Sequence, residues 1–132
     1  MSHPVPARSV SLFMGSPRKN SNTHILVQEA ERALCARGIR TKIIFLDDLT
    51  IYDCRGCHAC KQGDADTCVI MDDMQEIYPI IRQSDGFIVA SPVYFGYVPS
   101  MTKAWLDRLV PFIGADMSPK LPGGKTVSFI FV

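Results

Sequence analysis

Short apolar runs alternate along the chain with longer stretches in which apolar residues recur at helical spacing. Such short runs are typical of strands that are buried on both faces of a parallel sheet. We predict strands at Ser9–Met14, Arg40–Leu46, Gly86–Ala90 and Thr126–Val132. The alternation itself indicates a sheet whose strands are joined by helices.

The stretches between these runs predict the helices. The first helix is expected at Thr23–Arg37, with Gly38 as its stop signal. The others are expected from the aspartate pair at 72–73 to about Gln83, and over Ser100–Phe112. Because helices alternate with strands, the sheet should be parallel and covered on both faces. We therefore predict an α/β fold, a three-layer α/β/α sandwich with the flavodoxin-like strand order 2-1-3-4.

Two loops of unusual composition follow the first and third predicted strands. We call Gly15–Thr23 the cradle loop and Ser91–Pro99 the aromatic loop. In an open parallel sheet, ligands bind at the carboxyl ends of the strands, where the strand order reverses. With the order 2-1-3-4 that place lies between strands one and three. We therefore expect the two loops to form one binding site.

The cradle loop has the composition of a phosphate site. Arg18 adds a full positive charge, and the helix start offers N–H groups and the positive end of a dipole. Hydroxyl and amide donors come from Ser16, Ser21, Asn22 and Thr23. Ser, Asn and Thr are also ordinary capping residues, so a simple capped turn remains an alternative.

The aromatic loop is apolar and stiff, as a wall for a flat ring would be. Alternatively, Tyr94, Phe95 and Tyr97 pack in the core or at a subunit contact. A phosphate cradle beside an aromatic wall suits flavin mononucleotide (FMN). The cradle loop has neither a dinucleotide fingerprint nor a P-loop pattern.

Four of the five cysteines lie in one segment with the spacing C-x2-C-x2-C-x7-C. They are Cys54, Cys57, Cys60 and Cys68, within a long predicted loop at Asp47–Met71, the cysteine loop. This spacing is similar to the ligand run of a cubane iron–sulfur cluster. A zinc site, or thiols that are redox-active or idle, are the alternatives.

Composition and charge describe an ordinary globular domain. The chain has 132 residues, 47% hydrophobic and 20% charged, with a net charge of +1. We expect a single domain over residues 1–132 with a loose tail at 1–7. The charge gives no reason to expect a nucleic-acid partner. No apolar run has transmembrane length and the start does not look like a signal peptide, so we expect no membrane partner and a cytoplasmic location.

Several stretches together resemble the NADPH-dependent FMN reductase family, and within it the iron–sulfur flavoproteins. They are Gly15–Thr23, Cys54–Cys68, Asp72–Met74, Ser91–Phe95 and Met101–Arg108. The cysteine run is the most specific of them. The resemblance covers nearly all of residues 8–132.

The resemblance implies a flavodoxin-like fold, bound FMN and two-electron redox chemistry. By position in the matching motifs, the FMN phosphate would be held by Ser16, Arg18, Ser21, Asn22 and Thr23. The isoalloxazine ring would be lined by Pro92, Val93, Tyr94, Phe95 and Gly96. A [4Fe-4S] cluster would be ligated by Cys54, Cys57, Cys60 and Cys68.

Three functions are compatible with these motifs. The first is an FMN-dependent oxidoreductase that passes electrons between a cysteine-bound cluster, FMN and an external partner. That partner would be NAD(P)H or a ferredoxin-like protein. The second is a cluster-free NAD(P)H-dependent FMN or quinone reductase. The third is a non-catalytic, flavodoxin-like electron carrier.

The last predicted strand ends in the apolar run Val127–Val132, and no helix follows to cover it. Members of the family continue into another flavin-contacting loop, a fifth strand and a last helix, so we expect that part of the fold to be absent. An uncovered apolar edge is an aggregation hazard. We therefore predict a homo-oligomer in which a second copy shields this strand or completes the flavin site, with a truncated chain as the alternative.

Some residues outside the proposed ligand sets also receive a prediction. Cys35, in the first helix, should be a buried structural thiol. Asp72 or Asp73 should cap the second helix, and paired carboxylates for acid–base work are the alternative. Asp107 and Arg108 are adjacent in sequence, so they do not face each other on a helix, and we expect surface or interface charges.

Overall fold

The computed structural model describes residues 8–132, and the predicted tail at residues 1–7 lies outside them. Its sheet consists of β1 (Ser9–Met14), β2 (Arg40–Phe45), β3 (Gly86–Ser91) and β4 (Thr126–Phe131). The strands are parallel and their spatial order is β2-β1-β3-β4. The predicted strand order is therefore confirmed, and the strand bounds differ from the predicted ones by one residue at most.

Three α-helices connect the strands and cover the sheet. They are α1 (Asn22–Cys35), α2 (Met74–Gln83) and α3 (Ser100–Asp107). Short 3-10 turns lie at Leu46–Asp48, Ala59–Lys61 and Val110–Phe112. Among the described residues, the segment between the first 3-10 turn and α2 contains no strand, as predicted for the cysteine loop.

Side chains alternate along a strand, and this alternation builds the two cores. Leu12 and Met14 of β1 pack with Val27 of α1 on one face of the sheet. Phe13 lies on the other face, where its ring centroid is 4.5 Å from that of Trp105 in α3. Tyr78 of α2 belongs to this second core. The predicted three-layer sandwich is thus confirmed.

The helix α3 is shorter than predicted. It ends at Asp107, and the segment continues as the 3-10 turn at Val110–Phe112. Pro111 explains the difference, because proline has no N–H to donate and disfavours helical geometry in the residue before it. Arg108 stands at the C-terminal cap of α3 as a result.

The strand β4 forms one edge of the sheet within the described residues. Phe129 and Phe131 are 57% and 58% exposed, and their rings stack with centroids 5.9 Å apart. The apolar side chains of β4 are therefore exposed in this part of the chain. No helix found in the described residues combines the length and apolar character that a membrane span requires.

Candidate cofactor site

The cradle loop and the aromatic loop begin side by side at the carboxyl ends of β1 and β3. The Gly15 amide donates to the Ala90 carbonyl over 2.7 Å. The Thr102 hydroxyl of α3 donates to the Gly15 carbonyl over 3.1 Å. A Cβ on Gly15 would lie 2.3 Å from Thr102 Oγ1 and 3.0 Å from the Ala90 carbonyl oxygen, so this close approach requires glycine.

The cradle loop then turns into the start of α1. Ser21 is the N-cap, and its hydroxyl accepts from the His24 amide over 3.2 Å. The amides of Asn22 and Thr23 open the helix and have no acceptor within it. Thr23 is only 1% exposed, whereas Asn22 lies at the surface. The predicted donors are thus brought together at a helix start, where an anion is stabilised.

The other two predicted phosphate residues lie earlier in the cradle loop. The Ser16 hydroxyl is buried and accepts from the Arg18 amide over 3.2 Å. The Arg18 side chain is exposed at the rim. Its neighbour Lys19, which was not among the predicted site residues, pairs with Asp48 over 2.6 Å and lies above the Phe45 ring. The cradle loop is therefore held from the β2 side as well as from β3.

The aromatic loop contains a tight turn. Tyr94 and Tyr97 exchange backbone hydrogen bonds of 2.7 and 3.0 Å. Both central residues have positive φ, 46° at Phe95 and 80° at Gly96, which is typical of the turns that join paired strands. A bulky residue at positive φ is unusual and marks a position under functional or packing constraint.

The turn directs its rings outward. The Phe95 side chain is fully exposed, and those of Tyr94 and Tyr97 are exposed as well, so the alternative that they belong to the core of this chain is wrong. Behind them lies an apolar hollow of about 280 Å³. It is lined by Val93, Gly96, Tyr97, Val98, Leu106 and Phe131. Pro92, the remaining predicted ring residue, is half-buried at the end of β3.

The four thiols of the cysteine loop differ in their exposure to solvent. Cys54 and Cys57 are exposed in irregular chain, while Cys60 and Cys68 are half-buried. Cys68 packs against the core on the α2 and α3 face. Within residues 8–132, no three Cys, His, Asp or Glu side chains are grouped closely enough to hold a metal ion. The donor chemistry suits a metal, but the thiols are not gathered.

A buried ion pair closes the base of the cysteine loop. Arg108 and Asp72 have fully buried side chains, with Nη1 2.6 Å from Oδ2 and Nη2 3.0 Å from Oδ1. Asp72 also accepts from the amides of Tyr52 and Met74 over 2.9 and 3.1 Å. The next aspartate, Asp73, accepts from the Thr50 amide over 2.6 Å. Both acids thus bond to the loop that precedes α2, and only Asp72 also reaches into the first turn of α2.

Further contacts hold the loop along its length. Gln75 donates to the carbonyls of Cys68 and Ile70, both over 2.8 Å. Lys61 donates to the carbonyls of Val110 and Ile113. Two other contacts are Lys120 to the Ala65 carbonyl and the ion pair of Arg82 with Asp66. The second half of the loop is therefore fastened to the domain.

The surroundings of Asp72 and Arg108 keep both side chains ionised. Burial opposes ionisation of Asp72, but the bonds from Arg108 and the two amides outweigh it and hold the pKa of this carboxyl below its ordinary value of 3.8. Burial likewise opposes the charge of Arg108, and the Asp72 bond raises its pKa. Burial raises the pKa of Tyr78 to about 12, so its hydroxyl stays protonated and donates to the Arg108 carbonyl over 2.9 Å.

The predictions for two residues outside the proposed ligand sets are wrong. Arg108 is buried, and a signal for this was present, because it lies three residues after Trp105 and four after Ala104 on the apolar face of α3. Cys35 is exposed near the end of α1, and its sulfur lies 3.3 Å from the Thr41 hydroxyl. Asp107 is a surface charge as expected and pairs with Lys103 over 2.6 Å.

The strand order, together with the cradle loop at the carboxyl ends of β1 and β3, defines a flavodoxin-like domain. The chain belongs to the NADPH-dependent FMN reductase family, whose model matches residues 9–132. The family resemblance inferred from the motifs is confirmed by this match.

Relatives and solved structures agree with this assignment. The chain is 41% identical over 114 residues to an iron–sulfur flavoprotein of Methanocaldococcus jannaschii, covering 86% of this chain and 58% of that protein. It is 44% identical over 96 residues to an iron–sulfur flavoprotein of Methanosarcina thermophila, and this match covers 73% of this chain and 49% of that protein. The chain thus spans about half the length of these curated relatives.

A solved structure with the same fold is an NAD(P)H:quinone oxidoreductase from Methanothermobacter marburgensis. The TM-score is 0.72 at 14% identity, and the match covers 92% of this chain and 63% of that one. At this level of identity the likeness concerns the fold.

Proposed function

We propose that residues 1–132 form a single FMN-binding domain of a flavin-dependent oxidoreductase. The observation that carries the proposal is the contact of the cradle loop with β3 and α3, through Gly15, Ala90 and Thr102. This contact joins the start of the cradle loop, which leads into α1, to the end of β3, where the aromatic loop begins. A helix start suits a phosphate, and the aromatic loop suits a flat ring.

In this proposal each part of the site has one task. The amides of Asn22 and Thr23, with the hydroxyls of Ser16 and Ser21, bind the phosphate, and Arg18 adds charge at the rim. The ring is lined by Pro92, Val93, Tyr94, Phe95 and Gly96. The aromatic side chains would exclude water from one side of the ring. When bound, FMN supplies the electron-transfer chemistry, while the protein supplies position and electrostatics.

We further propose that Cys54, Cys57, Cys60 and Cys68 ligate a [4Fe-4S] cluster. Their spacing and the likeness to proteins named iron–sulfur flavoproteins support this. Because the described thiols are not gathered, the exposed pair would have to move towards the fastened pair. That same lack of a gathered site favours the second candidate, a cluster-free NAD(P)H-dependent FMN or quinone reductase.

We propose NAD(P)H or a ferredoxin-like protein as the electron partner, in the cytoplasm, and a homo-oligomer as the working form. The exposed rings of Phe129 and Phe131 on an edge strand support self-association. The apolar hollow beside Tyr97 and Leu106 continues the same surface. A second copy would cover this surface, which monomers rarely expose.

Anaerobic purification followed by quantification of flavin, iron and sulfide tests these proposals. We expect about one FMN per chain, and about four irons and four sulfides per chain if the cluster forms. FMN with steady NAD(P)H oxidation and no iron would favour the second candidate. Absence of FMN affinity in titrations with added FMN would overturn the domain assignment. Riboflavin, which lacks the phosphate, should bind more weakly than FMN and serves as the control ligand.

A further inference from the structure

Three buried side chains on one face of α3 connect the parts of the site. Thr102, Trp105 and Arg108 are spaced by three residues, so they lie along the same side of the helix. Each is at most 1% exposed. Thr102 bonds to the cradle loop, Trp105 packs on Phe13 of β1, and Arg108 reaches the base of the cysteine loop. One rigid element therefore touches both loops.

The Arg108 guanidinium binds both ends of the cysteine loop at once. Its Nη1 donates to the Tyr52 carbonyl over 2.8 Å, and its Nη2 lies 3.3 Å from the Ile70 carbonyl. The same two nitrogens hold Asp72. A planar fork can serve these divergent acceptors, whereas the single ammonium of a lysine cannot serve them all. Opening the base would leave a buried charge without its partner, which is costly.

Cys68 is the ligand candidate that this arrangement fixes. It precedes Ile70 by two residues, its carbonyl accepts from Gln75, and it packs against the core that contains Trp105. We propose that Arg108 is a positioning residue that holds Cys68 in place beside α3 and so sets the distance between the thiols and the cradle loop. The proposal rests on the proposed function in taking the thiols as metal ligands.

Alkylation of the individual thiols in reduced, metal-free and flavin-free protein tests the position of Cys68. The variants are Arg108→Lys, which keeps the charge, and the double variant Arg108→Met/Asp72→Asn, which leaves no buried charge. Labelling is followed by mass spectrometry, with exposed Cys35 as the internal reference. We expect Cys68 labelling to rise about tenfold in the double variant, because local opening exposes it, and to rise less in Arg108→Lys.

The matched control is Lys103→Met/Asp107→Asn, which removes an exposed ion pair from the same helix. It should leave Cys68 labelling unchanged. General destabilisation would raise labelling of every protected thiol and lower the unfolding midpoint of the sheet, so both are measured. Cys68 labelling that stays at the wild-type rate in a folded variant would overturn the proposal. If the double variant fails to fold, Arg108→Lys decides by the same criterion.

A second measurement uses anaerobic reconstitution with iron and sulfide. Arg108→Lys should take up less iron and show a changed visible circular dichroism spectrum, while its FMN affinity stays within about twofold because Thr102 still holds the cradle loop. Unchanged iron content and spectrum would contradict the positioning role. If wild-type protein takes up no iron but Cys68 labelling responds as expected, the metal-ligand proposal fails and the positioning of Cys68 stands.

Discussion

The cradle loop and the cysteine loop differ in how far the fold prepares them for a ligand. The cradle loop is short, its amides lie at a helix start, and backbone contacts with β3 fix it. The cysteine loop is long and fastened at its base and second half, while Cys54 and Cys57 remain exposed in irregular chain. The first loop holds its proposed phosphate donors in place before any ligand arrives. The second supplies donors that a ligand would have to gather.

The largest effect is expected from a charge placed in the prepared loop. Thr23→Asp puts a carboxylate where the FMN phosphate would bind and should weaken FMN binding about 100-fold, or about 2.7 kcal/mol. Thr23→Val, which removes the hydroxyl without adding charge, should lose far less. Gln28→Glu adds the same charge farther along α1 and is the control. Fluorescence titration measures the affinities, and equal affinity in Thr23→Asp would reduce the cradle to a helix cap.

Gly15→Ala should act through packing. The added Cβ would collide with Thr102 Oγ1, so we expect about 2 kcal/mol less stability in urea unfolding and weaker FMN binding. Adding Thr102→Ala should recover part of the loss, although contact with the Ala90 carbonyl remains. A double-mutant cycle gives the coupling, expected to be about 1 kcal/mol. Strictly additive effects would mean that the loop is not held by this contact.

Cys57→Ser tests the cysteine loop. Since Cys57 is exposed, the free energy of unfolding should change by less than about 0.5 kcal/mol. Iron incorporated by anaerobic reconstitution should nevertheless fall sharply, because one of four ligands is lost. Cys35→Ser, on α1, should leave the iron content unchanged. Iron retained at the wild-type level in Cys57→Ser would remove this residue from the proposed ligand set.

The smallest effect is expected from the pH dependence of stability at the Asp72–Arg108 pair. The pKa of Asp72 is lower in the folded protein than its ordinary value of 3.8, so its contribution to stability is fully present above that value. The contribution is lost as the pH falls through the lowered pKa. The difference in unfolding free energy between wild type and Asp72→Asn should therefore be constant from pH 7 to 5 and shrink below about pH 4. Asp107→Asn, in the exposed pair, is the control, and a difference that shrinks already at pH 5 would contradict the lowered pKa.

The sequence was most informative where the determinants are local. The strands were predicted nearly to the residue because Leu12, Phe13 and Met14 are apolar on both sides of a buried strand. The turn from β1 into α1 was predicted from capping residues that follow a glycine, and Ser21 is the N-cap. The confirmed family match extends over both.

What escaped prediction depends on contacts that are distant in sequence. Arg108 and Asp72 are separated by 36 positions, and neither shows by itself that the other will neutralise it. The end of α3 was placed too late because the apolar spacing continues through Phe112, although Pro111 breaks the helix. The positive φ of Phe95 is set by the bonds between Tyr94 and Tyr97 and not by its own preference.

The contacts of Arg108 that close the cysteine loop lie outside its cysteines, so changes within the loop need not break them. The contacts that close the loop join Arg108 to Asp72 and to the carbonyls of Tyr52 and Ile70. None of them involves a residue between Cys54 and Cys68. Lengthening such a segment is inexpensive, since each doubling costs only about 0.6 kcal/mol in closure entropy. The exposed part of the segment around Cys54 and Cys57 can therefore be altered between the same two anchor points, whereas Cys68 and the fastened second half also pack against the domain.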